Sequence, residues 1–259
     1  MNSVKESPVF LKMSSGETIG VLSNAPTDAK LGVFWLGGFK SVMTGTKATA
    51  LCDWARQRGL SSCRFDYSGN GYSDEGNFED ATISKWLHQA EHVFEGYARG
   101  QQIILGSSMG AWLALLVYRN LVQSGYGDRI RGIVLLAPAA DMTQELVWKR
   151  ATQEVRNEIE TKGVWYRSSR YGDGDYPITK KLIEDGKQHL LLDVGLDVEC
   201  PVRILHGDED PDVPWQHGLR LFEALRGDDV TFTLVKKGDH RLSSETEITR
   251  LISTVDALI

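Results

Sequence analysis

Residues 102–118 leave this chain little choice of fold. A short apolar run, Ile103 to Leu105, enters Gly106-Ser107-Ser108-Met109-Gly110, and an apolar helical stretch, Ala111 to Tyr118, follows at once. A buried strand that turns into a buried helix over so few residues needs a very tight bend. Side chains at the two flanking positions would clash with the neighbouring strand and helix, and glycine occupies both. Ser108 at the tip is then held in a strained backbone conformation with its Oγ exposed. The helix that starts at Met109 turns unpaired N–H groups toward the same point, which suits an anion.

The rest of the chain supplies the rhythm such a bend requires. Residues 8–23 read as two short strands around Ser14-Ser15-Gly16-Glu17, an edge hairpin. An apolar run over 31–36 ends in Gly37-Gly38-Phe39. A helix follows from Thr46 to Arg58, with Ala48, Leu51, Cys52 and Ala55 on one face and Gly59 as its stop. The strand-like run Ser62 to Asp66 leads into a loop of turn formers, Tyr67 to Asp74. Ile83, Trp86, Leu87, Ala90, Phe94 and Tyr97 keep the helical period from Thr82 to Tyr97. After the bend and its helix, Ile130 to Leu136 is again an apolar strand. This alternation predicts an α/β fold with a mostly parallel central sheet and helices on both faces, and ligands bind such sheets at the carboxyl ends of the strands.

Residues 141–195 break the alternation. A charged helical stretch, Gln144 to Lys162, carries Val147, Ala151, Val155 and Ile159 in one row. Trp165, Tyr166 and Tyr171, a turn at Gly172-Asp173-Gly174-Asp175, and a second helical pattern from Ile178 to Leu191 come next. The expectation is a small, mostly helical cap (141–195) inserted in a core made of 1–140 and 196–259, placed over the carboxyl ends of the strands. The sheet resumes with Val202 to Gly207, a helix around Gln216 to Leu225 and the strand Val230 to Val235. A final helix is announced by Ser244 with Glu247 three residues on, a capping box.

Composition removes several classes of partner. Lys plus Arg number 29 and Asp plus Glu 35, a formal charge of −6, with no basic stripe; this argues against nucleic acid as the main partner. No apolar run approaches the ~20 residues that span a bilayer, so stable membrane insertion is not expected. The first eight residues have neither the apolar core of a signal peptide nor the Arg-rich character of a transit peptide. Cys52, Cys63 and Cys200 make neither a disulfide framework nor a zinc pattern, and read as reduced core cysteines of a cytoplasmic protein. His88-Gln89-Ala90-Glu91-His92 matches H-x-x-E-H, but its histidines lie opposite the apolar stripe of their helix and no further ligand is near in sequence, so no metal is expected.

Gly106 to Gly110 fits G-x-S-x-G, the elbow that presents a serine nucleophile, and the strand and helix around it are the context that motif requires. A serine needs a base to take its proton. Of the six histidines, only His240 follows a late strand near the C-terminus, where the order Ser…Asp…His expects it. A carboxylate must fix the imidazole, and it should follow the preceding strand. Asp208, Glu209, Asp210 and Asp212 compete there; the G-x-x-D-x-x-V-P spacing from Gly207 to Pro214 picks Asp210, with Asp212 as the fallback. The N–H of Met109 and the N–H of Phe39 are the expected oxyanion donors, with Gly37-Gly38 letting the backbone approach. Acyl transfer of this kind calls for no cofactor.

These stretches together identify a resemblance. The chain is similar throughout to serine hydrolases of the α/β-hydrolase superfamily, and more narrowly resembles the branch of palmitoyl-protein thioesterases and acyl-glucuronide esterases. The matching pieces are Arg64 to Gly69, Gly106 to Leu113, Lys162 to Trp165, His206-Gly207 with Asp210, Val213 to Trp215, and Asp239 to Arg241. The resemblance implies Ser108, Asp210 and His240 as a catalytic triad, and hydrolysis of acyl esters or thioesters on small molecules or proteins. Gly37-Gly38-Phe39 departs from the Pro-Gly-Tyr-like loop of that branch, so the oxyanion wall is expected to differ in shape. Gly38, Trp148 and Trp165 are expected to line the substrate site, and Phe39, Met109, Val164 and Tyr171 to add apolar surface; the tryptophans could instead hold the cap to the core. Other chemistries on this fold stay open: an aminopeptidase, a carbon–carbon bond hydrolase, an acyltransferase, or a receptor without turnover. Enzymes of this fold that use an aspartate nucleophile are disfavoured, because Ser108 stands in its place.

Overall fold

The computed structural model describes residues 7–73, 77–169 and 174–259. Its strands are β1 (Val9–Lys12), β2 (Thr18–Asn24), β3 (Leu31–Leu36), β4 (Ser61–Phe65), β5 (Gln101–Ser107), β6 (Ile130–Leu136), β7 (Val164–Arg167), β8 (Tyr176–Thr179), β9 (Leu196–Asp197), β10 (Val202–Gly207), β11 (Leu225–Arg226) and β12 (Val230–Val235). Its helices are α1 (Thr46–Gln57), α2 (Ile83–Tyr97), α3 (Met109–Gln123), α4 (Gln153–Lys162), α5 (Lys180–Gly186), α6 (Trp215–Ala224) and α7 (Glu245–Asp256).

Eight strands form one sheet in the order β1-β2-β4-β3-β5-β6-β10-β12. β1 and β2 are antiparallel, β2 meets β4 antiparallel, and every later pairing is parallel. The period of two along a strand sends successive side chains to opposite faces, so a sheet covered on both sides needs apolar residues at every position. β3 shows it: Phe34 and Leu36 pack with α2 and α3, while Val33 and Trp35 pack with α1 and α7. β5 and β6 divide in the same way, Ile104, Ile133 and Leu135 on the first side and Ile103, Leu105, Val134 and Leu136 on the second. The α/β fold, the edge hairpin, the final helix and its capping box are as expected; Ser244 and Glu247 bond each other's backbone N–H reciprocally. Cys52 and Cys63 are buried, and Cys200 is half-buried.

The 141–195 segment differs from the expected one. The helical stretch Gln144 to Lys162 is two pieces: a π-helical turn, Thr143–Trp148, and α4. Thr152 separates them, its hydroxyl accepting the Val155 N–H at 3.4 Å and so starting a new helix. Val147 and Ile159 do share one small cluster, with Val155 against it. The second helix is short, and it is preceded by an antiparallel hairpin of β7 and β8. Val164, Trp165 and Tyr166 are β-branched or aromatic, and a strand accommodates them better than a helix. Tyr171 and the turn residues Gly172 and Asp173 lie outside the described residues, as does Asp74.

Two close approaches fix where β5, α3 and β3 meet. A Cβ on Gly106 would stand 2.2 Å from the Gly110 carbonyl oxygen and 2.5 Å from the Ala111 Cα. A Cβ on Gly110 would stand 2.2 Å from the Leu36 oxygen and 2.5 Å from the Gly37 oxygen. All the obstructing atoms are backbone, so nothing can swing aside. Gly110→Ala is expected to cost about 3 kcal/mol or more of folding stability through overpacking. Denaturant unfolding measures it, and a variant within 0.5 kcal/mol of wild type (roughly the scale of neutral surface changes) contradicts this account of the bend.

Candidate active site

Ser108 sits at the tip of that bend with φ 55° and ψ −119°. Its own N–H donates to the Leu136 carbonyl at 2.9 Å, which ties the tip to β6. Left-handed backbone at a non-glycine residue costs of order 1–3 kcal/mol and persists only where packing over-determines it. Six non-glycine residues among those described share it: Lys40, Ser108, Ala137, Asp141, Lys237 and Leu242. All six lie in loops that leave the carboxyl ends of β3, β5, β6 and β12. The strain of the molecule is concentrated where the sheet presents its ends.

Three predicted side chains converge there. His240 Nε2 lies 3.0 Å from Ser108 Oγ, and His240 Nδ1 lies 2.7 Å from Asp210 Oδ2. The Asp210 side chain is fully buried and that of His240 is 15 % exposed. Asp210 Oδ1 accepts the N–H groups of Asp212 and Val213 at 2.9 and 2.8 Å, an Asx-type turn that aims Oδ2 at the histidine. Burial alone would raise the Asp210 pKa. Hydrogen bonds from His206, His240 and the Val213 N–H outweigh burial and hold the carboxyl well below the usual carboxylate range.

The competing carboxylates are occupied elsewhere. Asp208 accepts Lys236 Nζ at 2.6 Å and the Lys237 N–H at 2.5 Å, pinning its loop to the end of β12. Glu209 is exposed. Asp212 pairs with Arg167 of β7 at 3.0 Å. An acyl carbonyl placed against Ser108 Oγ would therefore meet a hydroxyl, an imidazole and an ionised carboxylate in line, which is the arrangement that activates a serine for acyl transfer.

The expected oxyanion wall is built from two backbones. Met109 is the first residue of α3, so its N–H has no acceptor inside the helix. Gly38 lies against the elbow: a Cβ there would be 3.2 Å from the Ser107 oxygen and 3.4 Å from the Ser108 Cβ. The Phe39 ring packs edge-on to Phe78, Tyr176 and Trp86 at 5.0, 5.6 and 5.7 Å between centroids, fixing the peptide before it. Asp66 is buried and accepts the Met43 and Tyr72 N–H groups at 2.6 and 2.9 Å, joining the loops after β3 and β4.

A cavity of about 480 Å³ opens on Ser108 and His240. Its apolar part is lined by Phe39, Met142, Leu146, Val147, Ile178 and Val213. Most of these come from the 141–195 segment, which Asp141 anchors: its carboxylate accepts the Leu191 and Leu192 N–H groups at 2.8 and 2.9 Å. Gly38 lines the cavity as expected, but Trp148 and Trp165 do not; both pack on the small cluster around Val147, Ile159, Ile178 and Ile183. Arg156 also stacks over Trp148 at 5.6 Å. Burial against their own segment outcompetes the site for these rings. Lys40, Lys47 and Arg167 line the cavity as well, and no motif in the sequence marks them out for it; Arg241, inside the Asp239 to Arg241 match, lines it too. The H-x-x-E-H residues do not converge: Glu91 accepts from Asn120 at 2.7 Å, and the rings of His88 and His92 lie 4.1 Å apart, tilted by 60°, on the outer side of α2.

A sequence profile of the family described as "Serine aminopeptidase, S33" matches residues 30–176. The human mitochondrial palmitoyl-protein thioesterase ABHD10 is 35% identical over 229 residues, covering 88% of this chain and 72% of that protein. This chain belongs to the α/β-hydrolase family that contains ABHD10. Two solved structures of the fold superpose closely. A putative hydrolase from Agrobacterium vitis S4 has a TM-score of 0.92 at 38% identity over 100% of both chains. Mouse alpha/beta hydrolase domain-containing protein 10 has a TM-score of 0.86 at 34% identity, over 97% of this chain and 98% of that one.

The electrostatics of this family member's buried carboxylate can be read from stability. An unfolded Asp has a pKa of about 3.9, so a depressed folded value contributes stability above that pH and loses it as pH falls toward the folded value. At pH 7, Asp210→Asn is expected to lower the unfolding free energy by on the order of 2 kcal/mol. The deficit should shrink below pH about 4, as the wild type gains the proton that the variant cannot bind. Urea unfolding across pH 3–7 checks it, and a deficit independent of pH contradicts the hydrogen-bonded carboxylate.

Proposed function

We propose that this α/β-hydrolase cleaves acyl esters and thioesters through an acyl-enzyme, with Ser108 as nucleophile, His240 as general base and acid, and Asp210 as the carboxylate that orients and charges the imidazole. The observation that carries the reading is the Asp210–His240–Ser108 chain of 2.7 and 3.0 Å opening on a cavity with an apolar wall. His240 Nε2 takes the Ser108 proton as Oγ bonds to the acyl carbon. The carbonyl oxygen becomes an oxyanion, held by the N–H groups of Met109 and Phe39. Collapse breaks the bond to the leaving alkoxide or thiolate, which receives the proton from His240. Water then repeats the sequence on the acyl-serine and releases the carboxylic acid. The 141–195 segment acts as a cap, and Met142, Leu146, Val147 and Ile178 hold the acyl chain, each buried methylene contributing about 0.8 kcal/mol.

The charge of the cavity speaks against an aminopeptidase. Such an enzyme needs a carboxylate for the substrate ammonium, and the one carboxylate among the described lining residues, Asp212, is paired with Arg167. Lys40 and Lys47 add ammonium groups to the lining, which repel a substrate ammonium.

Two measurements test the reading. A fluorophosphonate should label Ser108 with loss of activity. Ser108→Ala should lose turnover entirely, Asp210→Asn should lose about 10⁴-fold, and Asp212→Asn should keep most of it. Labelling at Ser107, or an active Ser108→Ala, sinks the assignment. Binding of an ester without multiple turnover makes the protein a receptor instead.

The acyl pocket is tested separately with p-nitrophenyl esters and acyl thioesters of graded length. kcat/KM should climb over several methylenes and then fall once the cavity is full. Leu146→Trp should cut activity on octanoyl substrates about 10-fold more than on acetyl ones, whereas Trp165→Ala should affect all lengths alike. A flat profile, or a Trp165→Ala effect confined to long chains, overturns this placement of the acyl chain.

A further inference from the structure

A second histidine touches the same carboxylate. His206 stands at the end of β10 and is fully buried. Its Nε2 is 2.9 Å from the Val213 carbonyl and 3.5 Å from Asp210 Oδ2. A carbonyl only accepts, so Nε2 carries the hydrogen. The other nitrogen, Nδ1, is buried and has no hydrogen-bond partner among the described residues. It faces α6, where a Cβ on Gly218 would come within 2.3 Å of it, so only glycine leaves the ring its place. The ring is thus wedged from behind, with its one N–H aimed at the loop that carries Asp210.

That loop has a job that depends on small distances. Asp210 Oδ1 is held by the N–H groups of Asp212 and Val213, while Oδ2 takes His240 Nδ1. The backbone of Val213 is therefore held on both sides: its N–H by Asp210 and its carbonyl by His206. We propose that His206 is a positioning residue for the acid of the triad, clamping the 207–213 loop through the Val213 carbonyl while its Nε2 edge stands 3.5 Å from Oδ2. The inference rests on Asp210 acting as that acid. The titratable groups close to it are His240, His206 and Asp212, and Asp212 is held in turn by Arg167 and Arg150 of the 141–195 segment.

The test compares His206→Phe, which keeps a flat ring without the donor, with His206→Gln, whose amide can place an N–H near the Nε2 position. Both are measured beside wild type and Asp210→Asn, on the same ester, with thermal unfolding as a check of folding. His206→Phe is expected to lower kcat about 10- to 100-fold with little change in KM, since the reacting groups lose alignment rather than substrate contacts. It is also expected to move the acid limb of kcat/KM to higher pH. A carboxylate that has lost a donor holds a proton more strongly, and so does the imidazolium beside it. His206→Gln should recover most of kcat and return the acid limb.

A role in folding alone would lower the melting temperature and leave the acid limb in place. That outcome overturns the proposal, as does a His206→Gln variant no better than His206→Phe. If neither variant folds, ¹⁵N NMR of the wild-type imidazoles decides, because the clamp requires hydrogen on Nε2 of His206 and a bare Nδ1; the opposite tautomer refutes it. Should Asp210→Asn keep full activity, it is the triad reading that fails; should Asp210→Asn be crippled and His206→Phe normal, only the clamp fails.

Discussion

Everything at the site depends on backbone meeting backbone at Gly106 and Gly110. These contacts allow no side chain, and they press the start of α3 against the ends of β5 and β3 at once. One consequence is the left-handed conformation of Ser108, which no local preference would produce. Another is that Gly38 comes to lie on the Ser108 Cβ, so the loop after β3 is placed by the same packing that places the nucleophile. The serine and the loop proposed to hold the oxyanion are therefore set by one constraint rather than two. Preorganisation of this kind is what makes fixed dipoles effective, because they need not reorient as charge develops.

The other members arrive by longer routes and are fixed by polar contacts instead. Asp210 is held by two N–H groups of its own loop, and His240 by Asp210. The residue after His240 is anchored too: Lys47 of α1 donates to the Arg241 carbonyl and reaches Ser243 Oγ at 3.4 Å. Leu242, in left-handed backbone, plugs the same loop into the core beneath it. A buried carboxylate with this many donors stays ionised, as the proposed acyl transfer requires beside its imidazolium.

Much of this architecture is legible in the amino-acid sequence, and what separates the legible parts from the rest is the range of their contacts. The elbow, the capping box of α7 and the stripe of α2 are local: their signals lie within one or two turns of chain. Asp210 is legible because its loop is a local turn whose spacing decides which carboxylate faces inward. Trp148 and Trp165 lie away from their expected places because their partners, Ile159, Ile178 and Ile183, are fixed only by the tertiary packing of the 141–195 segment. The break at Thr152 is hidden by an apolar row that continues across it. Arg167 carries no usable sequence signal, since its pairing forms only when Asp212 is brought to it from another element, and His206 is marked only as part of the stretch that carries the resemblance.

Phe39 shows why the cavity and the chemistry are coupled. Its backbone lies in the loop that faces the nucleophile, while its ring packs against both the main core and the cluster of the 141–195 segment. Tyr176 of β8 meets that ring at 5.6 Å, and Phe78 and Trp86 meet it from the core side. The segment that walls the cavity thus bears on the residue next to Gly38, which lies against Ser108. Replacing the ring with a smaller one would change two things together, the shape of the apolar wall and the restraint on the loop. Dense interiors transmit such changes because they have few voids to absorb them. Under the proposed function, substrate fit and oxyanion geometry become properties of one packed cluster.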